Sequence, residues 1–81
     1  MTNRHLLPAH NGVHPLVRVM RDKLEESPFA LKDVAKRAGY EPKTLRNWWM
    51  GRNTPKIQDL EAVFNAMGYQ LTAIITDKDH E

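Results

Sequence analysis

The sequence contains no cysteine and only one serine. The missing cysteine excludes disulfides, thiolate zinc sites and a thiol nucleophile. The serine, Ser27, stands beside a proline, and no Ser-His-Asp or paired-carboxylate arrangement is suggested elsewhere. We therefore expect a protein that is not an enzyme and needs no cofactor.

Long apolar runs are missing as well. No stretch approaches the roughly 20 residues of a membrane helix, and residues 1–12 lack the apolar stretch of a signal peptide. The 81 residues are enough for one small domain, and a domain of this size has no room for a large catalytic cleft beside its core. We expect a soluble, cytoplasmic, single-domain protein that does not contact membranes.

Charge is distributed unevenly along the chain. The formal net charge is only +2, but residues 27–56 hold seven lysines and arginines against Asp33 and Glu41, a balance of +5. Residues 57–81 carry −4. A central basic block is typical of a face that binds a polyanion. From charge alone, a solvated helical surface is an equal alternative.

Apolar spacing, with start and stop residues, predicts four helices at about 13–27, 30–38, 42–50 and 54–68. Pro15 and Pro42 suit first helical turns, and Thr54 suits a cap. Gly39 suits a left-handed turn between the second and third helices. The residues predicted to face the core are Leu16, Val19, Met20, Leu24, Leu31, Val34, Ala35, Ala38, Leu45, Trp48, Ile57, Leu60, Val63, Phe64 and Met67.

The remaining segments complete the predicted organisation. Residues 69–76 are β-branched and aromatic with an imperfect alternation, which predicts one short strand. Residues 1–12 are predicted to be a flexible arm, residues 13–68 the helical domain, and residues 77–81 a charged tail. The predicted fold class is all-α, with four helices and one short C-terminal β-strand.

The second and third helices are the most informative part of the chain. Two short helices joined by a tight glycine turn, the second beginning exposed and basic, are typical of a helix-turn-helix. In that motif the second helix enters the DNA major groove. Ala35 would lie at the helix crossing, Gly39 at the turn, and Leu45 and Trp48 on the inner face. Together these four residues predict a helix-turn-helix.

The chain resembles the lambda-repressor-like, or Cro and xenobiotic-response-element type, helix-turn-helix family. The resemblance covers residues 16–68, about two thirds of the chain. It is carried by residues 31–39 (LKDVAKRAG), Thr44, Leu45, Trp48, residues 51–55 (GRNTP) and residues 60–68. The sequence departs from the family at Leu31, where glutamine is common, and at Trp49, where glutamate is common.

The resemblance implies which residues meet DNA. Base edges would be contacted early on the third helix and one turn later, by Pro42, Lys43, Arg46 and Asn47. The chemistry agrees, because lysine and arginine suit guanine and asparagine suits adenine. Phosphates would be contacted by Lys32, Thr44, Trp49, Arg52, Asn53 and Lys56. For each lysine or arginine alone, a solvated surface charge is the alternative.

The tryptophans and histidines allow further interpretations. Trp48 is predicted to be core, whereas Trp49 can pack on the first helix, touch the DNA backbone with its indole N–H, or do both. Base stacking, as in single-strand binders, is a weaker option for both rings. His10 and His14 are four residues apart, but glycine and proline disfavour a helix there, so we predict no metal site.

We therefore expect a sequence-specific regulator of transcription that binds double-stranded DNA, a repressor on a palindromic operator. A homodimer formed through residues 69–76 would place two recognition helices on such a site. Two alternatives remain open. One is an antitoxin that represses its own operon and binds a toxin, and the other is a protein-interaction module that keeps the fold only as a scaffold.

Overall fold

The computed structural model describes residues 6–72. It contains four helices, α1 (Pro15–Glu26), α2 (Leu31–Ala38), α3 (Pro42–Trp49) and α4 (Ile57–Ala66). The prediction of four helices is confirmed, and no strand occurs among the described residues. Residues 69–72 of the predicted strand do not form a strand, and residues 73–76 lie outside the described part. No helix within residues 6–72 has the length and apolar character needed to cross a membrane.

Most helix ends follow the local signals. Pro15 begins α1, and the Nδ1 atom of His14 caps it by accepting the backbone N–H of Leu16 at 3.0 Å. α2 ends at Gly39, whose φ of 90° and ψ of 25° are left-handed and carry no Cβ penalty in glycine. Pro42 begins α3, where its missing N–H would be unpaired in any case.

The start of α4 differs from the prediction. Thr54 is not the cap, because the helix begins at Ile57 and Lys56 holds the cap position. The backbone N–H of Lys56 donates to Oδ2 of Asp59 at 2.7 Å, which pairs an N–H at the helix start and places a negative charge at the positive end of the helix dipole. Ile57 was predicted to face the core, but at the helix end it is 59% exposed.

One core forms where the four helices meet. α2 packs on α3 and α4, and α1 packs on α3 and α4. The buried apolar residues are Val17, Met20, Leu24, Leu31, Val34, Ala35, Leu45, Trp48, Trp49, Leu60, Val63 and Phe64. On α1 the prediction for Val19 is wrong, since Val17 faces the core and Val19 is 42% exposed. Val17 lies three residues before Met20 and seven before Leu24 and therefore shares their face of α1, whereas Val19 has helical spacing with Leu16 but not with Met20 or Leu24.

The segment before α1 lies against the helices without forming one. Arg21 of α1 donates from Nη2 to the carbonyl of Leu6 at 2.8 Å and from Nε to the carbonyl of Leu7 at 2.9 Å. The backbone N–H of His10 donates to the carbonyl of Trp49 at 2.7 Å. These bonds tie the segment to α1 and to the end of α3. The first five residues of the predicted arm lie outside the described part.

The chain after α4 folds back onto its own domain. The backbone N–H of Tyr69 donates to the carbonyl of Phe64 at 2.8 Å, and the two rings meet edge to face with centroids 6.4 Å apart. The ammonium of Lys23 lies 5.4 Å from the Tyr69 ring centroid, and Leu71 packs against the core. Tyr69 and Leu71 are therefore engaged within their own chain.

Candidate nucleic-acid interface

α3 has one buried and one exposed face. The buried side chains are those of Leu45, Trp48 and Trp49. On the other side, Lys43 and Arg46 are exposed and Asn47 is partly exposed. Positions three and four apart share a helix face, so the structure brings these three predicted base contacts together. Pro42, the fourth, begins the helix and is partly buried.

The turn before α3 is anchored to both neighbouring helices. The backbone N–H of Tyr40 donates to the carbonyl of Ala35 in α2 at 2.8 Å. The side chain of Ala35 is fully buried in the core. The Tyr40 ring meets the Trp48 ring edge to face, with centroids 5.1 Å apart, an arrangement that aromatic quadrupoles favour. These contacts hold α3 in a defined orientation relative to α2.

The loop after α3, residues 50–56, is tied back to the helix by Asn47. The carbonyl of Asn47 accepts the backbone N–H groups of Arg52 at 2.9 Å and Asn53 at 3.4 Å. Its side-chain Oδ1 accepts Nη1 of Arg52 at 3.1 Å. Asn47 therefore orients the loop in addition to standing on the exposed face of α3.

Trp49, a predicted phosphate contact, is a core residue. Its side chain is 1% exposed, and its indole Nε1 has no hydrogen-bond partner among the described residues. It lines a small cleft of about 190 Å³ together with Leu6, Leu7, Arg46, Met50 and Arg52. The ring cannot contact a phosphate in this conformation, because the protein covers it.

The other predicted phosphate contacts are accessible. Lys32 near the start of α2, Arg52 and Asn53 in the loop, and Lys56 at the cap of α4 are exposed, and Thr44 on α3 is partly exposed. Leu31 at the start of α2 is 7% exposed and belongs to the core. The first polar side chain that α2 presents is therefore that of Lys32.

The cations of the central basic block form no salt bridge within residues 6–72. The ion pairs among these residues all lie on α1, where Arg21 bonds Asp22 and Glu25, and Lys23 lies beside Glu26. By contrast, the lysines and arginines of the block are all exposed, and none forms a salt bridge among these residues; they are Lys32, Lys36, Arg37, Lys43, Arg46, Arg52 and Lys56. Their charge is available to an external anion.

Two residues that sequence reasoning missed connect the segments on either side of α3. The hydroxyl of Tyr40 donates to Oδ1 of Asp59 at 2.5 Å. This bond, with the N–H of Lys56, lowers the pKa of Asp59, and the same bond raises the pKa of Tyr40. The acidic residue in the first turn of α4 was a usable signal for a cap, but nothing in the local sequence indicates Tyr40 as its partner.

No protein-family model, curated protein or solved structure matches this chain.

Proposed function

We propose that the chain is a sequence-specific regulator of transcription that binds double-stranded DNA. In this proposal α2 and α3 form a helix-turn-helix, and α3 enters the major groove. The observation that carries it is the exposed face of α3, where Lys43, Arg46 and Asn47 stand opposite a fully buried face. Lys43 and Arg46 belong to the basic block and have no carboxylate partner within residues 6–72.

Base and backbone contacts divide between α3 and its surroundings. Lys43 and Arg46 carry donors for guanine O6 and N7, and Asn47 carries a donor and an acceptor for adenine. Lys32, Arg52 and Lys56 stand on α2, in the loop and at the cap of α4, where contacts to phosphates would fix the register of α3 without reading sequence. Occupying an operator in this way would repress transcription by blocking access to it.

A homodimer belongs to the same proposal. One recognition helix contacts too few base pairs to select a site in a genome, so a twofold dimer on half-sites about 34 Å apart is the expected arrangement. We predicted the dimer contact in residues 69–76. Tyr69 and Leu71 contact their own domain, and residues 73–76 lie outside the described part, so this contact stays a prediction.

The proposal is tested by selecting duplexes from random DNA with the full chain and measuring affinity for them at several salt concentrations. We expect a linear fall of log K with log salt, about 0.9 per neutralised phosphate. Lys56→Gln should reduce that slope by about 0.9. The matched control is Lys23→Gln, because Lys23 lies on α1 beside Glu26 and Tyr69 and should leave the slope unchanged. Absence of salt-dependent duplex binding would refute the proposal and favour a protein-interaction module.

A further inference from the structure

The carboxylate of Asp59 joins two segments that lie on opposite sides of α3 in the chain. Oδ1 accepts the hydroxyl of Tyr40, in the turn before α3, at 2.5 Å. Oδ2 accepts the backbone N–H of Lys56, at the end of the loop after α3, at 2.7 Å. One side chain on α4 thus contacts both flanks of the helix that we assign to DNA.

We propose that Asp59, with Tyr40, is a positioning pair for DNA binding, which sets the loop that carries the phosphate contacts relative to α3. This inference rests on the proposed function. It concerns neither the bases nor the phosphates directly, since both residues act through the backbone that they hold.

Tyr40 is suited to this task because three contacts define its position. Its backbone N–H bonds Ala35 of α2 at 2.8 Å, its ring rests against Trp48 of α3, and its hydroxyl reaches Asp59 of α4. A displacement of α4 relative to α3 would therefore break a bond or separate two rings. The hydroxyl transmits the position of the α2–α3 turn to the start of α4.

The loop is held at both ends as a result. Asn47 bonds Arg52 and Asn53 at its beginning, and Asp59 bonds Lys56 at its end. A loop fixed only by Asn47 would leave the cap of α4 free to shift, and Lys56 would lose its fixed distance from α3. We therefore expect the contact of Lys56 with phosphate to depend on the Tyr40 hydroxyl.

The decisive variant is Tyr40→Phe, which keeps the ring and the net charge and removes only the hydroxyl. The matched control is Ser27→Ala, which also removes a single hydroxyl without changing the net charge; Ser27 lies between α1 and α2, where its Oγ accepts the backbone N–H of Phe29 at 3.0 Å. Ala66→Gly near the end of α4 provides a second control that destabilises the fold. All variants are compared with the full wild-type chain at a temperature where circular dichroism shows them folded.

Two readouts are measured. In Tyr40→Phe we expect the amide of Lys56 to exchange hydrogen faster while that of Val63, within α4, keeps its protection. We also expect affinity for every duplex to fall about fivefold at about 0.15 M salt and the salt slope to decrease by about 0.9, the values for one lost phosphate contact. Discrimination between the preferred site and its single-base variants should not change, and neither control should alter the slope.

The outcomes separate this inference from the proposed function. If the wild type binds duplex DNA with a steep salt dependence but Tyr40→Phe keeps its slope, the pair is only structural and the inference is overturned. An equal loss of slope in Ala66→Gly would overturn it too, because general destabilisation would then explain the effect. If the wild type shows no salt-dependent binding, the proposed function fails, and the exchange of Lys56 then reports only whether the hydroxyl holds the loop.

Discussion

The hydrogen bond between Asn47 and Arg52 makes a proposed base contact and a proposed phosphate contact interdependent. Oδ1 of Asn47 accepts Nη1 of Arg52 at 3.1 Å, and both side chains lie at the surface formed by α3 and its loop. Asn47→Ala should therefore remove a base contact and also release the arginine from its orientation. Its effect on DNA binding should exceed that of losing one base contact.

The expected magnitudes follow from the two roles. Loss of an asparagine–adenine contact costs about 1–3 kcal/mol of discrimination. Loss of one phosphate contact costs roughly 1 kcal/mol at about 0.15 M salt, from a slope of about 0.9 per phosphate. If Asn47 positions Arg52, then Asn47→Ala includes much of the second cost. The double variant should lose about 0.5–1 kcal/mol less than the sum of the single variants.

The assay is a double-mutant cycle. Affinities of the wild type, Asn47→Ala, Arg52→Ala and the double variant are measured by fluorescence anisotropy on the preferred duplex and on its single-base variants. Lys43→Ala with Arg52→Ala provides the matched pair, because Lys43 lies on the same face of α3 without a hydrogen bond to the loop among the described residues. That pair should be additive within about 0.5 kcal/mol.

Two results would refute this reasoning. Additive losses for Asn47 and Arg52 would show that their hydrogen bond does not matter in the complex. Full discrimination by Asn47→Ala at every base pair would show that Asn47 does not contact a base, whatever its effect on the loop.

Three further predictions concern stability and assembly. Gly39→Ala should lower the free energy of unfolding by about 1–2 kcal/mol in urea denaturation. The cost is conformational, because φ is 90° at this position and the added Cβ meets no atom within 4 Å. Gly12→Ala, where φ is not left-handed, should lower the free energy of unfolding less, and equal losses for the two variants would contradict this prediction. The hydrogen bonds that lower the pKa of Asp59 should stabilise the fold at pH values above the ordinary carboxyl pKa of about 4, and this stabilisation should be lost as the pH falls through the folded-state pKa. The difference in free energy of unfolding between wild type and Asp59→Asn should therefore narrow below about pH 4. A difference that does not change with pH would be evidence against this prediction. Light scattering at tens of micromolar should give a dimer for the full chain and a monomer for a version ending at Tyr69. A monomeric full chain, or a dimer that survives truncation, would exclude the predicted contact.

Signals confined to a few neighbouring residues predicted the four helices well. Pro15 and Pro42 begin helices and Gly39 ends one, because each of these residues restricts or frees its own backbone irrespective of the rest of the chain. The inner face of α3 was also predicted at Leu45 and Trp48, because residues three apart share one face of a helix and the two residues between them are polar. The exposed face with Lys43, Arg46 and Asn47 is the complement of that pattern.

Other features depend on which helices meet, and local patterns do not contain that information. On α1, Val17 has helical spacing with Met20 and Leu24, and Val19 has it with Leu16; packing against α3 and α4 buried the face of Val17 and left Val19 exposed. Trp49 follows Trp48 directly, yet both are buried, and Trp49 lines a cleft together with Leu6 and Leu7 of the segment before α1. A pattern within α1 or α3 cannot specify the position of a segment that begins some 40 residues earlier.

The basic block between residues 27 and 56, the helices and the polar face of α3 are therefore consequences of composition and periodicity, which act over a turn or two of the chain. Only the tertiary structure decided that Asn47 accepts a hydrogen bond from Arg52 and that Trp49 is buried. It also decided that the carboxylate of Asp59 bonds both Tyr40 and Lys56. The last contact spans 19 residues, and its geometry exists only after α4 has packed against α2. Hydrogen bonds of this kind need two side chains placed within about 3 Å of each other, and only the assembled core provides that precision.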